Sequence, residues 1–434
     1  MIFSGSEYDI SRFRLTFGSS TTRSEGYGAL QIWIKYIQKG ITYHENYVPS
    51  DQCKHTNWTG AAFTIAGGYV WSDVYQEAFK RNLTIVGGGD PVSYSHIGIP
   101  TEHSRSNDLQ QTVGCIGGYI QGGGHSPASR DYGLGSDQVL EAQVMLANGT
   151  TVTANACQNS DLYFAIRGGG GGTYGVVTSA VLKAYPSKPV VAQSLAIMPL
   201  GNNTDALLEA VTDIHTEYPA ISDAGFSGYG TWSVNGPMVL FGNETIGYVH
   251  AVAAMGKSRK YAEVAFAPLL QKLQKYNGTS LFVSVQWFQF PSYPAYYNAM
   301  SGAHQSTGSA NSALTSRMFD KDSLTKNRTF LRKMIGVIAG APEEYTINSV
   351  ELVGGGKVLT DREDRFSGVN PAWRSTYMVN VVARGWADES TAQAVKHDIT
   401  YRKGGAMRAL TPKLGSYMNE VSSSYLSPRN FGKS

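Results

Sequence analysis

The sequence predicts an α+β protein built on antiparallel sheet, and three observations carry that reading. Beyond Pro186, segments of strand and helix character follow one another without regular β-α alternation, which suggests an α+β domain with an antiparallel sheet, whereas the region over 62–89 reads as β-α-β ending in glycine. The glycines, 49 in 434 residues, cluster beside strands rather than spreading evenly. Pro186-Ser187-Lys188-Pro189 divides the chain, with short elements before it and longer helices after it.

The elements follow in order. Ala62–Ala66 (AFTIA) reads as a strand. Residues 71–81 read as a helix with Val74, Tyr75, Ala78 and Phe79 on one face. A short strand over 84–86 then runs into Gly87-Gly88-Gly89. Residues 139–147 alternate, so Leu140, Ala142, Val144 and Leu146 are expected to share a face. Asn148-Gly149 predicts a hairpin to a partner strand over 150–154. Asn159-Ser160-Asp161 is expected to cap a helix ending at Arg167, with Gly168 as its stop. One more strand spans 175–185. Beyond the prolines, helices are expected over about 205–218, 258–276, 321–338 and 389–400, between strands such as 282–288 and 377–383.

Composition narrows the function classes. The chain is 42% hydrophobic and 16% charged, with a net charge of only +3 and no long run of one sign. That argues against nucleic acid or an anionic membrane as the main partner. No stretch of 18 apolar residues is present to span a bilayer. Cys53, Cys115 and Cys157 lack the spacing of a zinc site, so no metal is expected, and their odd number leaves at least one thiol unpaired within the chain. Seven N-x-S/T sequons, at Asn57, Asn82, Asn148, Asn202, Asn243, Asn277 and Asn327, favour a secretory origin. The N-terminal MIFSGSEYDISRFRLTF does not read as a signal peptide.

Three glycine clusters lie within about ninety residues: Gly87–Gly89, Gly114–Gly124 and Gly168–Gly172. Each alone reads as a tight turn. Together, beside strands, they suit a diphosphate cofactor, because glycine lets backbone N–H groups approach an anion closely. The layout is neither a dinucleotide G-x-G-x-x-G nor a P-loop, since Gly354-Gly355-Gly356-Lys357 continues into Val358. Lys357 is expected in a solvated loop. The nine histidines are scattered, each expected at the surface or satisfied inside.

Thr112–Leu134 (TVGCIGGYIQGGGHSPASRDYGL), Asp137–Glu141 (DQVLE) and Asp161–Val177 (DLYFAIRGGGGGTYGVV) resemble the FAD-linked oxidoreductases of the berberine-bridge-enzyme-like group, within the vanillyl-alcohol-oxidase or p-cresol-methylhydroxylase (PCMH) superfamily. The likeness is dense over 23–186, thinner through Asn370–Arg374, and ends at Gly415–Glu420. It implies a PCMH-type FAD-binding domain over 23–186, a substrate-binding α+β domain over 187–400 with an antiparallel sheet, and a C-terminal return segment over 401–434. Carried over by position, Gly87, Gly88, Gly89, Asp90, Thr112, Val113, Gly114, Gly117, Gly118, Gly122, Gly123, Gly124, His125, Ser126, Gly175, Val176 and Val177 would line FAD. Tyr417 would act on the substrate proton, with Asn419 orienting it and His125 as the alternative base. The implied activity is oxidation of an alcohol, sugar, amine or phenolic metabolite, with hydride passing to flavin N5 and O2 as acceptor.

The sequence also departs from the family. Arg23-Ser24-Glu25-Gly26 is preceded by no histidine, and Asp90 stands where doubly linked relatives carry cysteine, so FAD is expected to be non-covalent. Val92–Gln111 interrupts a segment that is continuous in the family. It reads as a translated in-frame intron, or as a surface loop insertion. Both ends are expected to be truncated relative to the family. The alternative to an enzyme is therefore a catalytically inactive relic, or a ligand-binding pseudoenzyme of the same family.

Overall fold

The structure is a computed structural model that describes residues 32, 34–51, 53–56, 58–88, 113–240, 243–300 and 312–421, the side chains of 237–240 and 243–245 excepted. The 92–111 segment, Gly89, Asp90 and Thr112 lie outside the described residues.

The first sheet is antiparallel, with strands β1 (Ile41–His44), β2 (Ala62–Ala66), β3 (Leu83–Ile85), β4 (Val139–Met145), β5 (Thr151–Asn155) and β6 (Val176–Pro186). Their order is β1-β2-β6-β4-β5, and β3 pairs with the end of β6. The long β6 is thus the spine of this sheet. Helix Trp71–Phe79 buries Trp71, Val74, Tyr75 and Ala78, and packs with β2 and β3 into one apolar core. The Asn148-Gly149 hairpin forms, with Gly149 at φ +81°.

Leu140 departs from the alternation read in the sequence. The β4–β6 register shifts between Val139 and Glu141, leaving Leu140 as the extra residue of a bulge. Leu140 therefore packs with Tyr47, Ala62 and Val181, while Val139, Ala142 and Val144 belong to the main core. The cap at Asn159 also differs. Asn159 is left-handed at φ 48° and its amide donates to Thr153 O, so it fastens the helix Ser160–Ile166 to β5 and makes no N-cap bond.

The second sheet has seven antiparallel strands: β7 (Val190–Pro199), β8 (Ser227–Leu240), β9 (Asn243–Met255), β10 (Leu281–Phe290), β11 (Ser312–Asp320), β12 (Thr346–Leu352) and β13 (Thr376–Gly385). Their order is β10-β7-β9-β8-β12-β13-β11. Helices Thr204–Asp223, Arg259–Gln274 and Arg328–Ala339 cover one face and form the larger apolar core with it. The expected 321–338 helix is two, because Asp320 and Asn327 each cap a separate start. The expected 389–400 helix is likewise a succession of short pieces up to Leu410. Lys357 is exposed as expected but sits on the short helix Gly356–Thr360, paired with Asp361.

The other face of this sheet meets the first unit. Leu314, Met318, Val379 and Val381 pack there with Leu134, Val369, Trp373 and Tyr417. Two ion pairs cross the seam. Arg374 grips Asp137 with two bonds of 2.8 and 2.9 Å, and Arg167 donates to Asp364 at 2.7 Å. Both pairs are shielded from water on at least one side, so they are tied to correct docking of the two sheets.

Candidate active site at the seam

The segment after β3 builds one wall. Gly114 bridges Val70, Val113 O accepts from Trp71 N, and a π-helical turn covers Cys115–Tyr119. Cys115 is a free, fully buried thiol whose pKa burial pushes up, so it is an inert core residue. The chain then runs through Gly122–Ser126, all buried. Gly123 and Gly124 have φ of +111° and +72°, a conformation that favours glycine. The turn delivers His125 to the seam.

The second wall is the sheet. Glu351 on β12 faces away from the helix layer, opposite to Val350 and Leu352, as strand alternation demands. Its register partner on β8 is Tyr229 and on β13 is Val379. The third wall is the tail after Leu410, which carries Tyr417, Asn419 and Glu420.

These walls meet at His125. Its Nδ1 lies 3.1 Å from Tyr229 Oη. Its Nε2 lies 3.3 Å from Glu351 Oε2 and 3.3 Å from Glu420 Oε1. The Tyr417 ring stands edge-on to the imidazole at 4.8 Å, with Trp373 packed beside both. Asn419 Nδ2 donates to Tyr417 Oη at 2.7 Å and to Gly118 O at 3.1 Å. Three chain segments therefore converge on one buried polar group.

Of the residues read from the sequence, the structure brings together Gly118, Gly122, Gly123, Gly124, His125, Tyr417 and Asn419. A Cβ at Gly122 would sit 2.6 Å from Asn419 Nδ2, so only glycine admits that amide. Gly88 and Gly124 both pack against the Tyr119 ring, and Gly87 against Trp71. Gly117 is buried in the π-helical turn, and Ser126 caps the turn that follows. Gly175, Val176 and Val177 are engaged by β4, where a Cβ on Gly175 would meet Val144 at 2.7 Å. The run Gly168–Gly172 serves packing: a Cβ on Gly168 would lie 2.7 Å from Val369, and Gly170 lies against Met418.

Sequence reasoning missed Glu351, Glu420, Tyr229 and Trp373 as site residues. Glu420 directly follows Asn419 and could have been included with it. Glu351 has a weaker signal, an acid within the strand TINSVEL. Tyr229 has none, because only the register of β8 against β12 brings it to the site.

The two-sheet fold with a polar seam under a glycine-rich turn is that of a flavoprotein of the vanillyl-alcohol-oxidase type. A family model described as an FAD binding domain matches residues 107–155. The FAD-linked oxidoreductase hmp9 of Hypomyces subiculosus is 40% identical over 405 residues, covering 92% of this chain and 60% of that protein. The FAD-linked oxidoreductase apf9 of Gibberella fujikuroi is 34% identical over 409 residues, covering 93% of this chain and 66% of the relative. The chain thus spans less than two thirds of the length of these curated relatives. The crystal structure of the VAO-type flavoprotein MtVAO713 from Myceliophthora thermophila is 39% identical and superposes with a TM-score of 0.85, over 96% of this chain and 70% of that one. The chain belongs to the VAO-type flavoprotein family, whose cofactor is FAD.

The seam fits such a group. A Cβ on Gly123 would meet Val369, Trp373 and Tyr417 at 3.4 to 3.9 Å, so a methyl-sized space lies beside the turn. Ser416 Oγ and Glu420 Oε2 are buried polar atoms without a hydrogen-bond partner among the described residues, as expected where a polar ligand completes the site. Among the described residues no helix is long and apolar enough to cross a membrane.

Proposed function

We propose that this chain is an FAD-dependent oxidoreductase that oxidises a small organic molecule, an alcohol, sugar, amine or phenolic metabolite, at the seam around His125. The observation that carries the reading is the convergence of His125, Glu351, Glu420, Tyr229 and Tyr417 beside the glycine turn. FAD, when bound, supplies the two-electron acceptor at flavin N5, with O2 as the final oxidant. The chain supplies the rest. Gly87, Gly88, Gly89, Asp90, Thr112, Val113, Gly114, Gly117, Gly118, Gly122–Ser126 and Gly175–Val177 would hold the cofactor without a covalent bond. Tyr417 Oη, steadied by the Asn419 amide, would accept the substrate's hydroxyl or amine proton as its phenolate. His125, the alternative base, lies with Glu351 and Glu420 beside the Tyr417 ring. Trp373 and the roof strands exclude water, which strengthens these interactions.

An oxidising compartment fits the same reading. Cys53 and Cys157 are joined by a disulfide across 104 residues, as in secretory proteins. Asn82, Asn148, Asn202, Asn277 and Asn327 are all exposed, open to glycan attachment. The test is direct. Purified protein is expected to be yellow, to release all its flavin into the supernatant on acid precipitation, and to bleach anaerobically with a member of the substrate classes above. Colourless protein that takes up no added FAD overturns the reading in favour of a relic. Flavin retained in the acid pellet overturns non-covalent binding.

A further inference from the structure

The group at the seam has a second property that proton transfer does not require. His125 Nε2, Glu351 Oε2 and Glu420 Oε1 all lie within 4.8 Å of one another, and they come from a loop, a strand and the tail. Both imidazole–carboxylate distances are 3.3 Å. A charge-assisted N–H···O bond closes to about 2.7–2.9 Å. The edge of a tetrahedron with metal–ligand bonds of about 2.0–2.1 Å is instead roughly 3.3 Å.

The geometry points to a divalent transition-metal site on His125, Glu351 and Glu420, of the kind zinc(II) occupies. Three further observations agree. Tyr229 holds Nδ1 at 3.1 Å, the outer contact that fixes a ligating imidazole with Nε2 facing the ion. Glu351 and Glu420 bring two carboxylates to one buried place, a charge that a dication cancels. Glu420 is the most exposed of the three side chains, at 22%, and its buried Oε2 lacks a hydrogen-bond partner among the described residues. It thus offers an entry path and a second oxygen to the ion. One nitrogen with two oxygens suits zinc, cobalt or manganese better than calcium, which takes six to eight oxygens.

Binding is measured on the full chain by titrating zinc chloride calorimetrically, and by the visible bands of cobalt(II). The expected result is one ion per chain with tetrahedral cobalt bands. His125→Ala is expected to weaken binding by more than about 100-fold, and Tyr229→Phe by about 10-fold. Glu420→Gln, at the partly exposed position, removes a ligand with little demand on folding, and circular dichroism confirms the fold of each variant. Asp51→Asn is the control, because the other acid–cysteine group in the molecule has its thiols locked in the disulfide. Absence of a one-to-one ion, or binding that survives Glu420→Gln undiminished, overturns the site. Neither readout depends on flavin or on turnover, so the metal site fails or stands separately from the oxidase.

Discussion

Two buried histidines, each set among tyrosines, behave as opposites. His250 lies in the helix-covered core of the second sheet, with Nε2 2.5 Å from Gln193 Oε1 and Nδ1 2.8 Å from Tyr248 Oη. Tyr218 closes the group through its bond to Tyr248. Every member is neutral, and all come from the one sheet and the helix packed on it. Burial pushes the His250 pKa down to about 3, and that of nearby His215 down to about 4. His125 instead faces two carboxylates, and three separate chain segments meet on it. Burial alone therefore marks no active site. What sets His125 apart is charge that the fold concentrates where a loop, the tail and a sheet meet.

The largest effect that would sharpen this contrast is kinetic. Tyr417→Phe is expected to slow substrate-driven flavin reduction by roughly 10²–10⁴-fold while leaving flavin content unchanged, because it removes only the proton acceptor. Anaerobic stopped-flow traces check it, and an unchanged rate makes Tyr417 a core tyrosine held by Asn419.

Next in size is the seam itself. Asp137→Ala strands the Arg374 guanidinium, whose carboxylate partner holds it charged against burial. The expected cost is about 3–5 kcal/mol, read from denaturant midpoints. A cost near zero would mean that apolar contacts alone dock the two sheets.

The neutral histidines set the acid behaviour. Their folded pKa values lie below the unfolded value of about 6.5, so the unfolded chain binds more protons between about pH 6.5 and 3. Their contribution to stability is complete above pH 6.5 and is lost as the pH falls through that window. The loss amounts to a few kcal/mol, on the order expected for shifts of this kind. Thermal melts of His250→Gln should show a shallower acid slope than the parent. An identical slope would place the acid sensitivity in other groups.

The disulfide ranks smallest. Replacing Cys53 and Cys157 together by serine is expected to cost about 2–4 kcal/mol and to leave flavin reduction unaffected. Loss of activity instead would tie the loop around Cys53 to the seam.

The sequence made much of this fold legible, for reasons visible in particular residues. β2, the β4–β5 hairpin and the helix after it follow from alternation, Asn148-Gly149 and Gly168. The bulge at Leu140 was not legible, because one extra residue reverses a face without altering composition. Glycine clustering drew attention to 114–124, the segment that delivers His125 to the seam. It could not separate glycines that admit a neighbour, such as Gly168 under Val369, from those that line a ligand. Tyr417, Asn419 and His125 were found through the family resemblance. Glu351 and Tyr229 depend on sheet register, a property of the folded chain that no local pattern encodes.

The account rests on the difference between the two histidines, and one paired measurement reaches it. Flavin reduction is compared anaerobically in His125→Gln and His250→Gln, each adjusted to equal flavin content. The account predicts that the first slows by roughly 10²–10⁴-fold, while the second stays within a factor of about two of the parent. Equal rates in the two variants would contradict it and take His125 out of the proton chemistry.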